Sequence, residues 1–142
     1  MAVSLEDPKQ MSKPKSPGDL QLAILRVLWR RREATVAAVH GDLRSARPLA
    51  LTTIATMLRK MEARELVTHR LEGRQFVYCA SVEEGAVRRD MITDVVERAF
   101  AGDASAMVNH LLREGEFDPG DLADLKAMIA AKEQELGVRR HG

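Results

Sequence analysis

Apolar positions recur along this chain first at helical spacing, then at alternate residues, then at helical spacing again. Leu20, Ala23, Ile24, Val27 and Leu28 follow Asp19 at steps of three and four, which predicts a first helix over about 19–31 with Asp19 as its N-cap or first-turn acid. Trp29 is expected to anchor packing at the end of that helix, and the run Arg30, Arg31, Arg32 closes it at the negative end of the helix dipole. Thr35 can cap a short second helix that turns Val36, Val39 and Leu43 inward and ends near Arg44. Arg47 and Pro48 then interrupt the pattern, because the residue before a proline avoids the helical region.

The next stretch, Leu49 to Arg64, sorts into two arcs at about 100° per residue. Leu51, Ile54, Met57, Leu58 and Met61 lie on one arc, while Thr52, Thr53, Thr56, Arg59, Lys60, Ala63 and Arg64 lie on the other, without a carboxylate. An ordinary surface helix shows such a partition, and so does a helix built to enter a DNA major groove between phosphates. The residues after Arg64 separate the two. Val67, His69 and Leu71 alternate with Thr68 and Arg70, Phe76 and Tyr78 alternate with Val77 and Cys79, and Glu72 and Gly73 stand between the runs. This predicts a β-hairpin with Arg70 and Arg74 flanking its tip and His69 facing inward. A helix, a short helix, a helix with a polar outer face and a basic hairpin form, in that order, a winged helix-turn-helix. On this reading Thr52, Thr53 and Thr56 touch base edges, and Arg59, Lys60, Arg70 and Arg74 hold phosphates.

Beyond the hairpin, Ser81 to Glu84 reads as a capping box that opens a fourth helix reaching about Phe100. Its Val87, Met91, Ile92, Val95, Val96, Ala99 and Phe100 spread wider than one face. Gly102 and Asp103 separate it from a fifth helix with Met107, Val108, Leu111 and Leu112, and Asp118 and Pro119 start a sixth with Leu122, Leu125, Met128 and Ile129. Three short helices with so broad an apolar surface make a poor core alone. A second copy would cover that surface, with Met91, Val95, Phe100, Met107, Leu111, Leu125 and Met128 expected at the interface. The expected fold is therefore mainly α with a small β-hairpin wing: a flexible tail over 1–17, a winged helix-turn-helix domain over 18–81 and a three-helix dimerisation domain over 82–142.

Composition narrows the function classes. The 142 residues are 45% hydrophobic and 30% charged, enough for a soluble core. No stretch approaches the roughly 20 apolar residues of a membrane helix, and Met1 to Pro17, broken by charges and by Pro8, Pro14 and Pro17, is unlike a signal peptide, so a cytoplasmic protein is expected. The net charge of +1 conceals a division: residues 1–80 hold 14 Lys/Arg against 8 Asp/Glu, and residues 81–142 hold 8 against 13. A basic first half suits a polyanionic partner, to which Lys9, Lys13 and Lys15 of the tail could add contacts. Cys79 is the single cysteine, which excludes an internal disulfide and a multi-cysteine metal site. His40, His69, His110 and His141 are scattered, and neither a nucleophile elbow nor a phosphate-cradling glycine loop occurs, so neither enzyme, cofactor nor metal is expected. Winged helices also bind proteins, and a protein-interaction module without specific DNA binding stays open as the alternative.

Leu28 and Trp29, Ala34 to Val36, Leu51 to Leu58 and Glu72 to Tyr78 together resemble the BlaI/MecI/CopY family of penicillinase-type repressors, over about Asp19 to Leu136. The resemblance implies a homodimer whose N-terminal winged helices bind a palindromic operator and whose C-terminal helices join the subunits, controlling β-lactam resistance, copper handling or envelope-stress genes. Arg32 and Glu65 stand where the family usually has glycine, so these helix ends are expected to be built differently, and Leu51 replaces a frequent tyrosine. The copper-sensing branch carries C-terminal Cys-x-Cys pairs, whereas this chain has no cysteine after Cys79. In the β-lactam branch a membrane sensor leads to cleavage of the repressor at an Asn-Phe bond. The matching pair is Asn109 and His110, which keeps the asparagine only.

Overall fold

A computed structural model describes residues 16–141, so the tail expected at 1–17 lies almost wholly outside the described residues. Helix α1 runs Asp19–Arg31 and begins at Gly18, whose amide donates to Gln21 Oε1 at 3.3 Å. Asp19 is thus the first-turn acid rather than the cap. The Thr35 hydroxyl caps α2 (Val36–Leu43) by accepting the Ala38 amide at 3.1 Å, as its position before the apolar triplet predicts. Helix α3 follows at Leu51–Ala63, and the hairpin strands are β2 (Val67–Glu72) and β3 (Gln75–Ala80).

The sheet holds one strand that periodicity does not reveal. Ala34–Thr35 forms β1, pairing antiparallel with β3 in the register Ala34↔Tyr78 and Thr35↔Val77, so the strand order is β1-β3-β2. Two residues are too few to show a period. Strand β2 pairs antiparallel with β3 from Val67↔Ala80 to Glu72↔Gln75, and a two-residue turn with Gly73 at φ 68° closes the hairpin.

The core of this unit lies where the three helices meet the base of the sheet. Ile24, Leu25, Val27 and Leu28 of α1, Val39 and Leu43 of α2, Ile54, Leu58 and Met61 of α3, Val67 of β2 and Tyr78 of β3 form one buried cluster. Leu51, counted with the apolar arc of the third helix, is not part of it: at the first position of α3 it remains 47% exposed. Trp29 packs half-buried against the cluster and donates from Nε1 to the Val82 carbonyl at 2.9 Å, which ties the end of α1 to the segment after the sheet.

Helix α4 runs Glu84–Phe100, and here the capping-box expectation fails. The helix starts too late for Ser81 to be its N-cap. The Ser81 amide instead donates to the Leu66 carbonyl at 2.9 Å, extending the strand ladder, and Glu84 pairs with Arg88 at 3.2 Å. Two helix ends also differ from expectation. Arg32 and Glu65 have positive φ, 78° and 64°, a backbone region that glycine enters most easily, so non-glycine residues here hold helix ends of that kind.

Helices α5 (Ala104–Glu114) and α6 (Pro119–His141) complete the chain. Backbone contacts cluster into two units that divide between Val95 and Val96, inside α4. In the second unit Asp103 caps α5 by accepting the Ala106 amide at 3.0 Å, and the Asp118 side chain accepts from the Asp121 amide at 2.8 Å at the start of α6.

In the first unit the basic run at the end of α1 turns to α2. Arg31 makes two bonds to the Asp42 carboxylate at 2.7 and 2.9 Å, and Arg30 adds a third at 2.9 Å. These bonds, Arg31 foremost, hold the Asp42 carboxyl down at about 2, against 3.8 in its ordinary state. Because the folded value is depressed, the associated stability is present above the ordinary value and disappears as pH falls through about 2. In denaturant titrations Asp42→Asn is expected to be less stable than the parent at neutral pH, with the gap closing as pH falls from about 4 toward about 2. A gap that persists unchanged would assign the loss to something other than this ion pair.

Candidate nucleic-acid interface

The exposed face of α3 is built by the burial of its other side. With Ile54, Leu58 and Met61 fully buried, the helical period leaves Thr52, Thr53, Thr56, Arg59, Lys60 and Ala63 exposed. Thr52, Thr53, Thr56 and Lys60, with the half-buried Met57, line a shallow hollow on this face. Arg59 Nη2 lies 3.5 Å from the Thr56 hydroxyl, and Lys60 has no hydrogen-bond or ion-pair partner among the described residues. No side chain caps the N-terminus of α3, where Ala50 occupies the N-cap. The helix therefore presents first-turn amides that no side chain satisfies and the positive end of its dipole, both favourable to a phosphate.

His40 ties α2 to the residues before α3. Its ring Nε2 donates to the Leu49 carbonyl at 2.9 Å, joining α2 to the segment that leads into α3. Nothing in the spacing of the four histidines marks this one out, because a side chain bonded to a backbone carbonyl nine residues away leaves no periodic trace.

The wing places its cations unequally. Arg74, in the turn after Gly73, is exposed and makes no hydrogen bond or ion pair among the described residues. Arg70 instead bonds both carboxylate oxygens of Glu33, in the link between α1 and β1, and reaches Glu72 at 3.4 Å. The Arg70 bond pulls the Glu33 carboxyl below its usual range, and Glu33 in turn raises Arg70. His69 is on the side of the strand that reaches α3, as its place in the strand predicts, but of the inward positions in β2 only Val67 is buried and His69 stays exposed. Its ring stacks on Phe76 at 4.2 Å, and Nδ1 lies 2.8 and 2.9 Å from the two carboxylate oxygens of Glu62 on α3. Burial pushes the Tyr78 hydroxyl up, and the Glu62 charge adds to it. Toward the tip, Leu71 and Phe76 project beyond the core, 63% and 40% exposed. Cys79 is half-buried, with the Thr68 hydroxyl 3.4 Å from its sulfur.

Glu33 and Glu62 are the groups that sequence reading missed. They lie 37 and 7 positions from their partners, and only the fold brings them together.

The residues expected at a subunit interface remain without full cover. Val95, Leu111 and Met128 are 46%, 50% and 64% exposed, and Met91, Phe100, Met107 and Leu125 are half-buried. Asn109 and His110 are exposed in the middle of α5, with the His110 ring tilted against Phe100 at a centroid distance of 5.9 Å. Among the described residues no cluster of His, Cys, Asp and Glu could hold a metal ion, and no helix is long and apolar enough to cross a membrane.

Comparison with known proteins places this architecture. The penicillinase repressor family profile matches residues 17–131. The penicillinase repressor of Bacillus licheniformis is 24% identical over 119 residues, covering 84% of this chain and 93% of that protein. The transcriptional regulator BlaI of Mycobacterium tuberculosis is 30% identical over 115 residues, covering 68% of this chain and 83% of that protein. Among solved structures, the monomeric form of Bacillus licheniformis BlaI in complex with the blaP half-operator aligns with 27% identity and a TM-score of 0.45, covering 52% of this chain and 89% of that one. With the family profile spanning both the winged unit and most of the C-terminal helices, the chain belongs to the penicillinase repressor family of transcriptional repressors.

Proposed function

We propose that this chain represses transcription as a homodimer on a palindromic operator, with residues 18–81 as the DNA-binding domain and 82–142 as the dimerisation domain. The carrying observation is the exposed face of α3: three threonines followed by Arg59 and Lys60, free of carboxylates, on a helix whose other face is locked into the core. Such a helix fits the major groove with small side chains at base edges and long cations at the flanking phosphates. Thr52, Thr53 and Thr56 read bases, where a threonine methyl suits a thymine methyl and its hydroxyl bonds a base edge. Arg59, Lys60 and Arg74 neutralise phosphates and release counterions, giving affinity without sequence preference. Arg70, expected beside them, is engaged by Glu33 and Glu72 and reaches DNA only by releasing them.

The exposed Leu111, Met128 and Ile129 support a second copy as the cover for the C-terminal helices. A two-fold axis then sets the third helices of two subunits roughly one DNA turn (~34 Å) apart, so the operator mirrors the protein. The likeness to a penicillinase repressor supports β-lactam resistance genes as the controlled set, with envelope-stress genes beside them as the resemblance implies.

Selection of duplexes from a random-sequence pool tests this reading: the full chain should enrich a dyad with half-sites about one turn apart, and binding should weaken steeply with salt. Enrichment of nothing, with no salt-dependent retention, would favour the protein-interaction alternative. On the selected duplex Thr53→Val should lose about 1–3 kcal/mol of affinity while binding to random DNA is unchanged. Arg74→Ala should show the opposite signature, weakening both by a similar factor and lowering the salt slope by about 1 in filter-binding titrations.

A further inference from the structure

The hairpin is tied down on both of its faces by two adjacent residues. Successive strand residues point to opposite faces of a sheet, so positions 69 and 70 of β2 address different neighbours. On one face His69 Nδ1 lies 2.8 and 2.9 Å from the Glu62 oxygens near the end of α3, while its ring stacks on Phe76 at 4.2 Å and tilts against Tyr78 at 5.5 Å. On the other face Arg70 bonds both oxygens of Glu33, before β1, and reaches Glu72 at 3.4 Å. Beyond these ties the hairpin consists only of the pairs Leu71↔Phe76 and Glu72↔Gln75 and the turn that carries Arg74. Past Thr35↔Val77, where β1 ends, only two strands remain, and such a hairpin is marginal on its own, so what holds its base sets where its tip points.

Both ties are partly open to solvent, with side-chain exposures of 30% and 33% for His69 and Glu62 and 50% and 49% for Arg70 and Glu33. Pairs so exposed contribute little to folding stability. Their effect lies in geometry.

We propose that His69 and Arg70 are positioning residues which, anchored by Glu62 and Glu33, fix the wing relative to α3 so that Arg74 meets phosphate while the threonines meet bases. The inference rests on the DNA-binding reading and changes one assignment within it. Arg70 acts on DNA through the protein, as a brace, and the recognition helix carries an anchor of its own wing in Glu62.

The test uses the full chain and the duplex that the parent selects from a random-sequence pool. Glu62→Gln and His69→Ala should each weaken binding to that duplex about three- to fivefold and lower the salt slope by about 1, as Arg74→Ala does, with the thermal midpoint of the free protein nearly unchanged. Added to Arg74→Ala, either change should cost much less than it does alone, because the contact it positions is already gone. Should His69→Ala fail to fold, Glu62→Gln, which keeps the side-chain shape, carries the test. Glu33→Gln separates the two roles of Arg70: a brace predicts weaker binding, whereas a gain in affinity with a steeper salt slope would make Arg70 a phosphate contact and overturn the proposal. Losses that add in full to that of Arg74→Ala, or variants that bind as the parent does, overturn it as well. A parent chain that selects no duplex removes the DNA reading and this inference together, while a parent that selects a duplex its variants bind equally well removes the inference alone.

Discussion

The burial of one stripe of α3 is the constraint on which the rest of the winged unit depends. Ile54, Leu58 and Met61 have no exposed surface, and they are held by α1, α2, Val67 and Tyr78 in a single cluster. Close packing of this kind leaves a helix no freedom to rotate about its axis without opening cavities. The orientation of the threonine face is therefore a consequence of the core. The outward threonines and Lys60 are exposed and stand outside the core cluster, which leaves their residue types open to selection for a partner.

Electrostatics divides the basic residues of the first half into two groups. Arg30, Arg31 and Arg70 are engaged by Asp42, Glu33 and Glu72, where they join α1 to α2 and the hairpin to the link before β1. Lys60 and Arg74 have no such partner among the described residues. A charge excess of the first half taken alone does not distinguish a cation that braces the fold from one that awaits an anion. The distinction is set by whether a carboxylate lies within reach, and Glu33 and Glu72 are the residues that decide it in the wing.

The C-terminal helices follow a different logic. Helix α5 buries none of its residues, although Val108, Leu111 and Leu112 are large and apolar. Local signals suffice to form these helices: Asp103 and Asp118 satisfy first-turn amides, and Pro119 suits the first helical position. Among the described residues their apolar faces find no complete cover, which is the observation behind proposing a second copy as that cover.

Much of this was legible in the residues themselves. Helix α1 occupies the span its apolar spacing predicts, Thr35 caps α2, and the alternation from Val67 to Cys79 forms a hairpin, because each depends on interactions within one turn or one strand pair. The partition of the third helix was equally local, except at Leu51, where its end position leaves the side chain outside the core. What depended on contacts between distant positions was not legible. The strand at Ala34 and Thr35 exists only because β3 lies beside it, and Ser81 joins the sheet rather than capping α4. By itself the sequence determined which faces are apolar, which carry cations and where α1, α2 and α6 begin, since these follow from period and capping. Only the tertiary structure decided which cations remain free and how the wing is held against the helix, since both depend on carboxylates that the fold brings in from elsewhere in the chain.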